Sequence, residues 1–348
     1  MLNVDNISLQ VGNFCLKNVS FTVDAGDYFA ILGVSGVGKS LLLETIAGLV
    51  TPLSGTITLR GRDITKVHIQ RRNISIVYQD SDLFPHLSVY ENIAYPLRST
   101  KAKQLHETVL RCAETTGIAE KLQRRPATLS GGEYQRATLA RSLAADSDIF
   151  LLDEPLSSLD AHARSELRSL LRRLNRNGVT VVHVTHDYEE AISLATKIGI
   201  MENGGLVQID TPENIFRHPK SEFVAHFVGT KNFSRGYIKT VPGKELKQFI
   251  SNGVPMTCLT DLPDGEAYLM VRPDEITVAR SKHASSSQNQ FKGTITDIAP
   301  GRLGVEITVD AGSPFVSTIS SESLKSLKLG IGQSVWISFK ASSCKLYR

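Results

Sequence analysis

Between positions 33 and 40 the chain runs Gly33, Val34, Ser35, Gly36, Val37, Gly38, Lys39, Ser40. Glycines let a backbone curl until its N–H groups converge on one point, and a helix start adds partial positive charge there. Lys39 adds a cation and Ser40 a hydroxyl. This is the GxxxxGK[ST] pattern of a phosphate cradle, and it follows an apolar strand and opens a helix, as the pattern requires. Lys39 is expected to bridge the β- and γ-phosphates of a nucleotide, and Ser40 to ligate Mg²⁺. Further on, Ile149-Phe150-Leu151-Leu152 ends in Asp153 and Glu154. Asp153 suits Mg²⁺, often through water, and Glu154 is placed to accept a proton from an attacking water. Ser130, Gly131 and Gly132 form a second anion-binding helix start from a hydroxyl and glycine N–H groups. One chain needs only one phosphate cradle, so the second is expected to serve another nucleotide across a dimer.

These groups need a scaffold. Residues 1–228 alternate short β-rich runs with helical stretches, the pattern of an α/β domain. Phe29–Leu32, Ile149–Leu152 and Val179–Val184 are continuous apolar runs, typical of strands buried on both faces. Leu41–Leu49 reads as the helix behind the cradle. Leu167, Leu170, Leu171 and Leu174 share one helical face, with Asp160 as N-cap and Gly178 as stop. Leu2–Leu9 and Cys15–Val23 read as a small β element. From about residue 229 the texture changes to period-2 segments between Gly, Pro and Ser clusters. Gly293–Ile298 and Val335–Phe339 are examples, the signature of a small all-β barrel or sandwich spanning 229–348. Ser281–Gln290 is polar and reads as a loop or linker.

Composition narrows the class. The 348 residues carry 39 Lys+Arg against 35 Asp+Glu, a net charge of +4, too small to announce a nucleic-acid partner. With 41% hydrophobic and 21% charged residues the chain is an ordinary globular one. No run approaches the ~18–20 apolar residues of a membrane span, and the start has no basic region followed by an apolar run. Cys15, Cys112, Cys258 and Cys344 are dispersed, and are expected to be free thiols in a reducing compartment.

Leu129-Ser130-Gly131-Gly132-Glu133, ahead of the acidic strand, resembles the LSGGQ signature of the ATP-binding cassette (ABC) family, with Glu133 in place of the usual Gln. Other cassette motifs follow in order. Gln79 resembles the Q-loop residue that reaches Mg²⁺ and the attacking water. Ser157-Ser158-Leu159-Asp160 resembles the D-loop, which communicates across the dimer. His186 resembles the switch histidine on the γ-phosphate. The resemblance covers about residues 1–228 and implies an ATP- and Mg²⁺-dependent ATPase that works as a homodimer. The position where the family stacks an aromatic on adenine looks like Val11, with Phe14 close by as a substitute.

The 51 residues from Gln79 to Ser130 leave no room for the coiled-coil arm of cassette repair proteins. Translation factors usually fuse two cassettes, and exporters carry their own membrane helices. The importer ATPase remains, at the cytoplasmic face, with two permease copies on separate chains and a solute-binding protein beyond them. Phe84, Pro85 and Leu87 resemble the groove where the permease docks. Val271–Glu275 resembles a motif of importer C-terminal β domains. Asn289–Ile295, Ile319–Ser323 and Val335–Ser342 resemble the small molybdate-binding (molbindin) module, about 287–348, so the C-terminal domain is expected to be OB-like. The resemblance implies an oxyanion cargo, molybdate or tungstate, and a feedback site. Ser317, Ser320, Lys340, Ser342, Asn289 and Phe291 are its candidate contacts, since a tetrahedral dianion suits many short donors. Sulfate, a sugar or a polyamine is the alternative cargo, and a cassette ATPase acting on nucleic acid or ribosomes the alternative class.

Overall fold

The computed structural model describes the whole chain except residues 79–82, 99–100, 228–230, 302–303 and 348, and the side chains of 217, 222 and 226. It divides into two compact units, Met1–Glu213 and Asn214–Arg348.

The first unit opens with a β-hairpin, β1 (Leu2–Val11) and β2 (Phe14–Val23), wider than the element the sequence suggests. With β4 (Ser54–Leu59) and β5 (Arg62–Asp63) it forms a four-stranded antiparallel sheet, β2-β1-β4-β5. The second sheet is built on β3 (Tyr28–Leu32), β6 (Ile74–Val77), β7 (Ile149–Asp153), β8 (Val181–Thr185), β9 (Lys197–Glu202) and β10 (Gly205–Asp210). Its order is β10-β9-β3-β8-β7-β6. All neighbours are parallel except β10.

The continuous apolar runs have a simple cause. Successive strand residues point to opposite faces, and each face of this sheet has its own core. Phe29, Ile31, Ile149, Leu151, Val182 and Val184 face the antiparallel sheet and helix α1 (Lys39–Ala47). Tyr28, Phe150, Leu152 and Val181 face α5 (Ala161–Arg176), which presents Leu167, Leu170, Leu171 and Leu174. Helix α5 starts where the sequence places its cap, since Asp160 Oδ1 accepts from the amides of His162 and Ala163 at 2.9 Å each. It ends at Arg176, just before Gly178 at φ 94°. Helices α2 (Val89–Ala94), α3 (Ala102–Thr116) and α4 (Gly131–Ala144) pack on one another through small residues such as Ala113, Ala137 and Ala140. Helix α6 (Tyr188–Leu194) follows β8.

Among its described residues the second unit has three short α-helices besides its strands. They are α7 (Pro212–Arg217, which begins at the division), α8 (Glu222–Phe227) and α9 (Ser321–Ser326). Its antiparallel strands make two five-stranded sheets. One joins β11 (Phe233–Lys239), β12 (Lys247–Ser251), β13 (Val254–Cys258), β14 (Gly265–Met270) and β20 (Lys345–Tyr347). The other joins β15 (Thr277–Ala279), β16 (Asn289–Gly301), β17 (Gly304–Asp310), β18 (Pro314–Ile319) and β19 (Ser334–Phe339). Phe249, Met256, Leu269, Ile295, Ile307, Ile337 and Phe339 close a shared core between them.

Candidate active site

Parallel register decides which loops meet. Leu32 lies opposite Thr185, and Asp153 lies opposite Val184. The C-terminal ends of β3, β7 and β8 finish level, so the 33–40 loop, Glu154 and His186 leave the sheet side by side, where α/β sheets bind ligands.

The cradle demands its glycines. Gly38 has φ 102°, and a Cβ there would sit 2.5 Å from the Phe14 ring. At Gly33 a Cβ would lie 2.8 Å from the Met201 carbonyl oxygen. Lys39 is buried, and its ammonium donates to the carbonyls of Gly33 at 2.8 Å and Val34 at 3.0 Å. Burial pulls its pKa down, while the Glu154 and Asp153 carboxylates oppose that fall. Asp153 is pushed the other way: burial raises its pKa, the Ser40 hydroxyl hydrogen-bonded to it and the Lys39 charge resist, and Glu154 adds to the rise. A hydroxyl joined to a partly desolvated carboxylate is a hard-oxygen donor pair, which fits Mg²⁺.

Glu154 stands at φ 44°, a left-handed conformation that costs a non-glycine residue about 1–3 kcal/mol. Its amide donates to Val184 O at 2.9 Å, and its own carbonyl accepts from the Ser157 hydroxyl at 2.9 Å. Those bonds over-determine the turn. One carboxylate oxygen, Oε1, is 3.0 Å from Nδ1 of His186, so acid and histidine are in direct contact. Gln79 lies outside the described residues.

Ser130 is the N-cap of α4 in a reciprocal capping box. Its Oγ accepts from the Glu133 amide at 3.3 Å, and Glu133 Oε2 accepts from the Ser130 amide at 2.9 Å. The departure from Gln therefore has a local use, because a carboxylate in the first turn also favours the helix dipole. Glu133 further pairs with Lys121 at 3.3 Å. The Ser130 bond, with Lys121 assisting, pulls its pKa down. A Cβ at Gly132 would come within 3.2 Å of Ala163, so the signature turn sits tightly on the start of α5. Asp160 itself is spent on capping that helix. Val11 is half exposed at the β1–β2 turn, while Phe14 packs beneath Gly38.

Phe84 lies in a groove of about 330 Å³ with Ser75, Ile76, Tyr95 and Arg141. Its ring is 4.3 Å from Tyr95, and the Arg141 guanidinium is 5.4 Å from its centre. Pro85 is exposed and Leu87 half-buried, and neither lines that groove. Sequence reasoning missed two residues that shape this loop. Buried Asn92 accepts from the Phe84 amide and donates to the carbonyls of Phe84, Leu87 and Ser88. Tyr134, just after the signature, accepts from the Leu83 amide through its hydroxyl at 2.8 Å. The Ser88–Glu91 capping box before α2 was a legible signal for the first.

The six oxyanion candidates differ in what their side chains already bind. Asn289 exchanges hydrogen bonds with the Thr257 backbone, and Ser317 donates to the Ile276 carbonyl. Phe291 packs with Phe315 and Phe339, ring centres 5.9 Å apart. Ser320 caps α9. Lys340 and Ser342 are exposed beside one another at the end of β19, the end that pairs with Asn289. Gln288, where the resemblance leads one to expect Arg, accepts from the Ala341 amide at 3.3 Å.

Family comparisons agree with this geometry. A family model described as ABC transporter matches residues 16–157, and a TOBE domain model matches 285–346. The molybdate/tungstate import ATP-binding protein of Pyrococcus horikoshii is 38% identical over 354 aligned residues, covering all of both chains. A spermidine/putrescine import ATP-binding protein of Pseudomonas aeruginosa is 37% identical over 86% of this chain and 84% of its own. A sulfate/thiosulfate import ATP-binding protein of Chromobacterium violaceum is 41% identical over 80% and 75%. Among the described residues no helix is long and apolar enough to cross a membrane. A phosphate cradle, an acidic pair facing a histidine, a signature helix start and this full-length similarity make the chain a member of the ATP-binding proteins of ABC importers, an ABC-type ATPase with a C-terminal TOBE domain.

Proposed function

We propose that this chain drives import of molybdate or tungstate through a separate membrane permease. The observation that carries the cargo is coverage. Two molybdate/tungstate relatives align with the whole chain, C-terminal module included, whereas a third aligns over 85% of it and the polyamine and sulfate relatives over 86% and 80%.

Two copies close head to tail, so that residues 33–40 of one face Ser130–Gly132 of the other, with a nucleotide at each seam. Lys39 and the loop amides grip the phosphates. Ser40 and Asp153, with Gln79, hold Mg²⁺, which supplies charge neutralisation on the phosphate oxygens when bound. Glu154 takes the proton of the attacking water, and His186 beside it contacts the γ-phosphate. The subunits lie at the cytoplasmic face, and each permease copy docks at the Phe84 groove. A solute-binding protein delivers cargo from the other side. Imported oxyanion returns to the C-terminal module, where it meets the exposed donors Ser320, Lys340 and Ser342. Ser317, Asn289 and Phe291 belong to the frame beneath, because their polar atoms and rings are used internally. Occupancy there slows hydrolysis.

Calorimetric titration of the full chain with molybdate, tungstate and sulfate tests the cargo, and ATPase rates of the assembled transporter against the same anions test the feedback. Heat from the first two anions only, with a falling rate, is expected. A response to sulfate or spermidine instead transfers the chain to the second reading, which the 41% identity to the sulfate relative favours. An unchanged rate at saturating molybdate overturns the feedback.

A further inference from the structure

Beneath the switch histidine lies a buried polar cluster that the hydrolytic chemistry does not use. Thr185 closes β8 and is buried. Its hydroxyl donates to Glu190 Oε2 at 3.0 Å and accepts from the Asp187 amide at 3.0 Å. Asp187 in turn caps α6, accepting from the amides of Glu189 and Glu190. His186 sits between these anchors. Glu190 is only 3% exposed, so a carboxylate has been taken out of water without a salt bridge of its own among the described residues. Burial raises its pKa, the Thr185 bond holds it back, the Asp187 charge adds to the rise, and the Arg168 and Arg164 charges oppose it.

Those two arginines belong to α5. Arg164 donates through Nη2 to the Leu159 carbonyl at 3.0 Å, one residue before the Asp160 cap. Its Nε and that of Arg168 are buried with no hydrogen-bond partner. Both guanidinium charges act on the buried Glu190 carboxylate, and Arg164 is tied at the same time to the Leu159 carbonyl.

We infer that Glu190 is a positioning residue for ATP hydrolysis, fixing the Thr185 hydroxyl so that the turn presenting His186 keeps its contact with Glu154. A hydroxyl has one proton. Given to Glu190, it leaves a lone pair for the Asp187 amide, and both bonds persist together. Without the carboxylate the hydroxyl is free to rotate, and the amide bond weakens. Nucleotide grip rests on Lys39 and the loop amides and is untouched by that loss.

The test is a double-mutant cycle on the full-length chain with its dimer intact. Glu190→Ala and Thr185→Val are each expected to lower kcat roughly tenfold, about one hydrogen bond's worth, with KM for Mg·ATP within about twofold. The double variant is expected to be no slower than the worse single one, because both remove the same link. Thr185→Ser, which keeps the hydroxyl, restores kcat. A merely structural role moves KM, kcat and thermal stability together. Multiplying losses in the double variant, an unchanged kcat, or a Thr185→Ser enzyme as slow as Thr185→Val overturns the inference. If Glu190→Ala does not fold, the Val and Ser pair at position 185 decides alone.

Discussion

Arg72 stands outside the site, yet it finishes the helix that carries Lys39 and Ser40. Arg72 is 3% exposed, and its guanidinium donates to four carbonyls: Val67 through Nε, Thr45 and Ile46 through Nη1, and Thr65 through Nη2. Two of these belong to the last turn of α1, where helix carbonyls lack partners and a cation is favoured. Truncation to Ala does not orphan all four. The Thr45 carbonyl also accepts from the Gly48 amide at 3.2 Å, and the Val67 bond is only partly buried, within reach of water. Ile46 O and Thr65 O remain. At about 1–3 kcal/mol for each unsatisfied buried group, Arg72→Ala should cost about 2–6 kcal/mol. With m of about 2 kcal/mol/M in urea, the midpoint for loss of helical ellipticity falls by about 1–3 M at constant m. Arg72→Lys should recover less than half, since one ammonium cannot span carbonyls arranged for a planar fork. A midpoint shift under about 0.5 M for Ala, or full recovery by Lys, would refute this account of the helix end.

Two other outcomes follow from the site and its core. Glu154→Gln should bind ATP and keep the closed dimer while phosphate release slows by about 10²–10⁴-fold, the usual worth of a general base; release at the normal rate removes Glu154 from that role. His183 is fully buried, with Nδ1 3.0 Å from the Tyr28 hydroxyl, and burial lowers its pKa to about 3. The unfolded chain takes up that proton near pH ~6.5 and the folded chain does not, so stability is complete above that value and drains away as pH falls toward 3, by at most about 1.4 kcal/mol per pH unit. His183→Gln should flatten this slope between about pH 6.5 and 5 in urea titrations; a variant that keeps the wild-type slope would show that other groups cause it.

Much of the active site was legible because its chemistry is written in contiguous backbone. Gly33–Ser40, Asp153–Glu154 and Ser130–Glu133 take their geometry from loop curvature and helix starts, which short stretches specify by themselves. The apolar runs Phe29–Leu32 and Ile149–Leu152 were equally readable, because burial on both faces leaves no polar position. Legibility fails where a long side chain reaches across the fold. Nothing near Arg72 reveals that it caps a helix ending at Ala47, and nothing near Arg164 places Glu190 in its field. Such residues are chosen by three-dimensional distance, and no period of 2 or 3.6 records that.

In the C-terminal module the face each candidate donor turns to is also written in the sequence. Residue type alone, Ser, Asn or Lys, does not say which way a strand turns a side chain. In β18, Ser317 falls two positions after Phe315, and both are buried. In β16, Asn289 stands at the same parity as Phe291 and Ile295. A strand alternates faces, so a polar residue in step with core aromatics points into the core, where its hydrogen-bonding capacity must be consumed. Ser317 and Asn289 obey that rule. An anion arriving from water can be met only by donors not already committed, and these occur where strands stop: Ser320 beyond β18, Lys340 and Ser342 beyond β19. Ser320 still spends its lone pair on the amide of Ser323, but its proton is a donor that can turn outward from Ser323 Oγ, 2.9 Å away. On the proposed reading, an oxyanion that meets the exposed donors is therefore held at strand ends, by Ser320 after β18 and by Lys340 and Ser342 after β19.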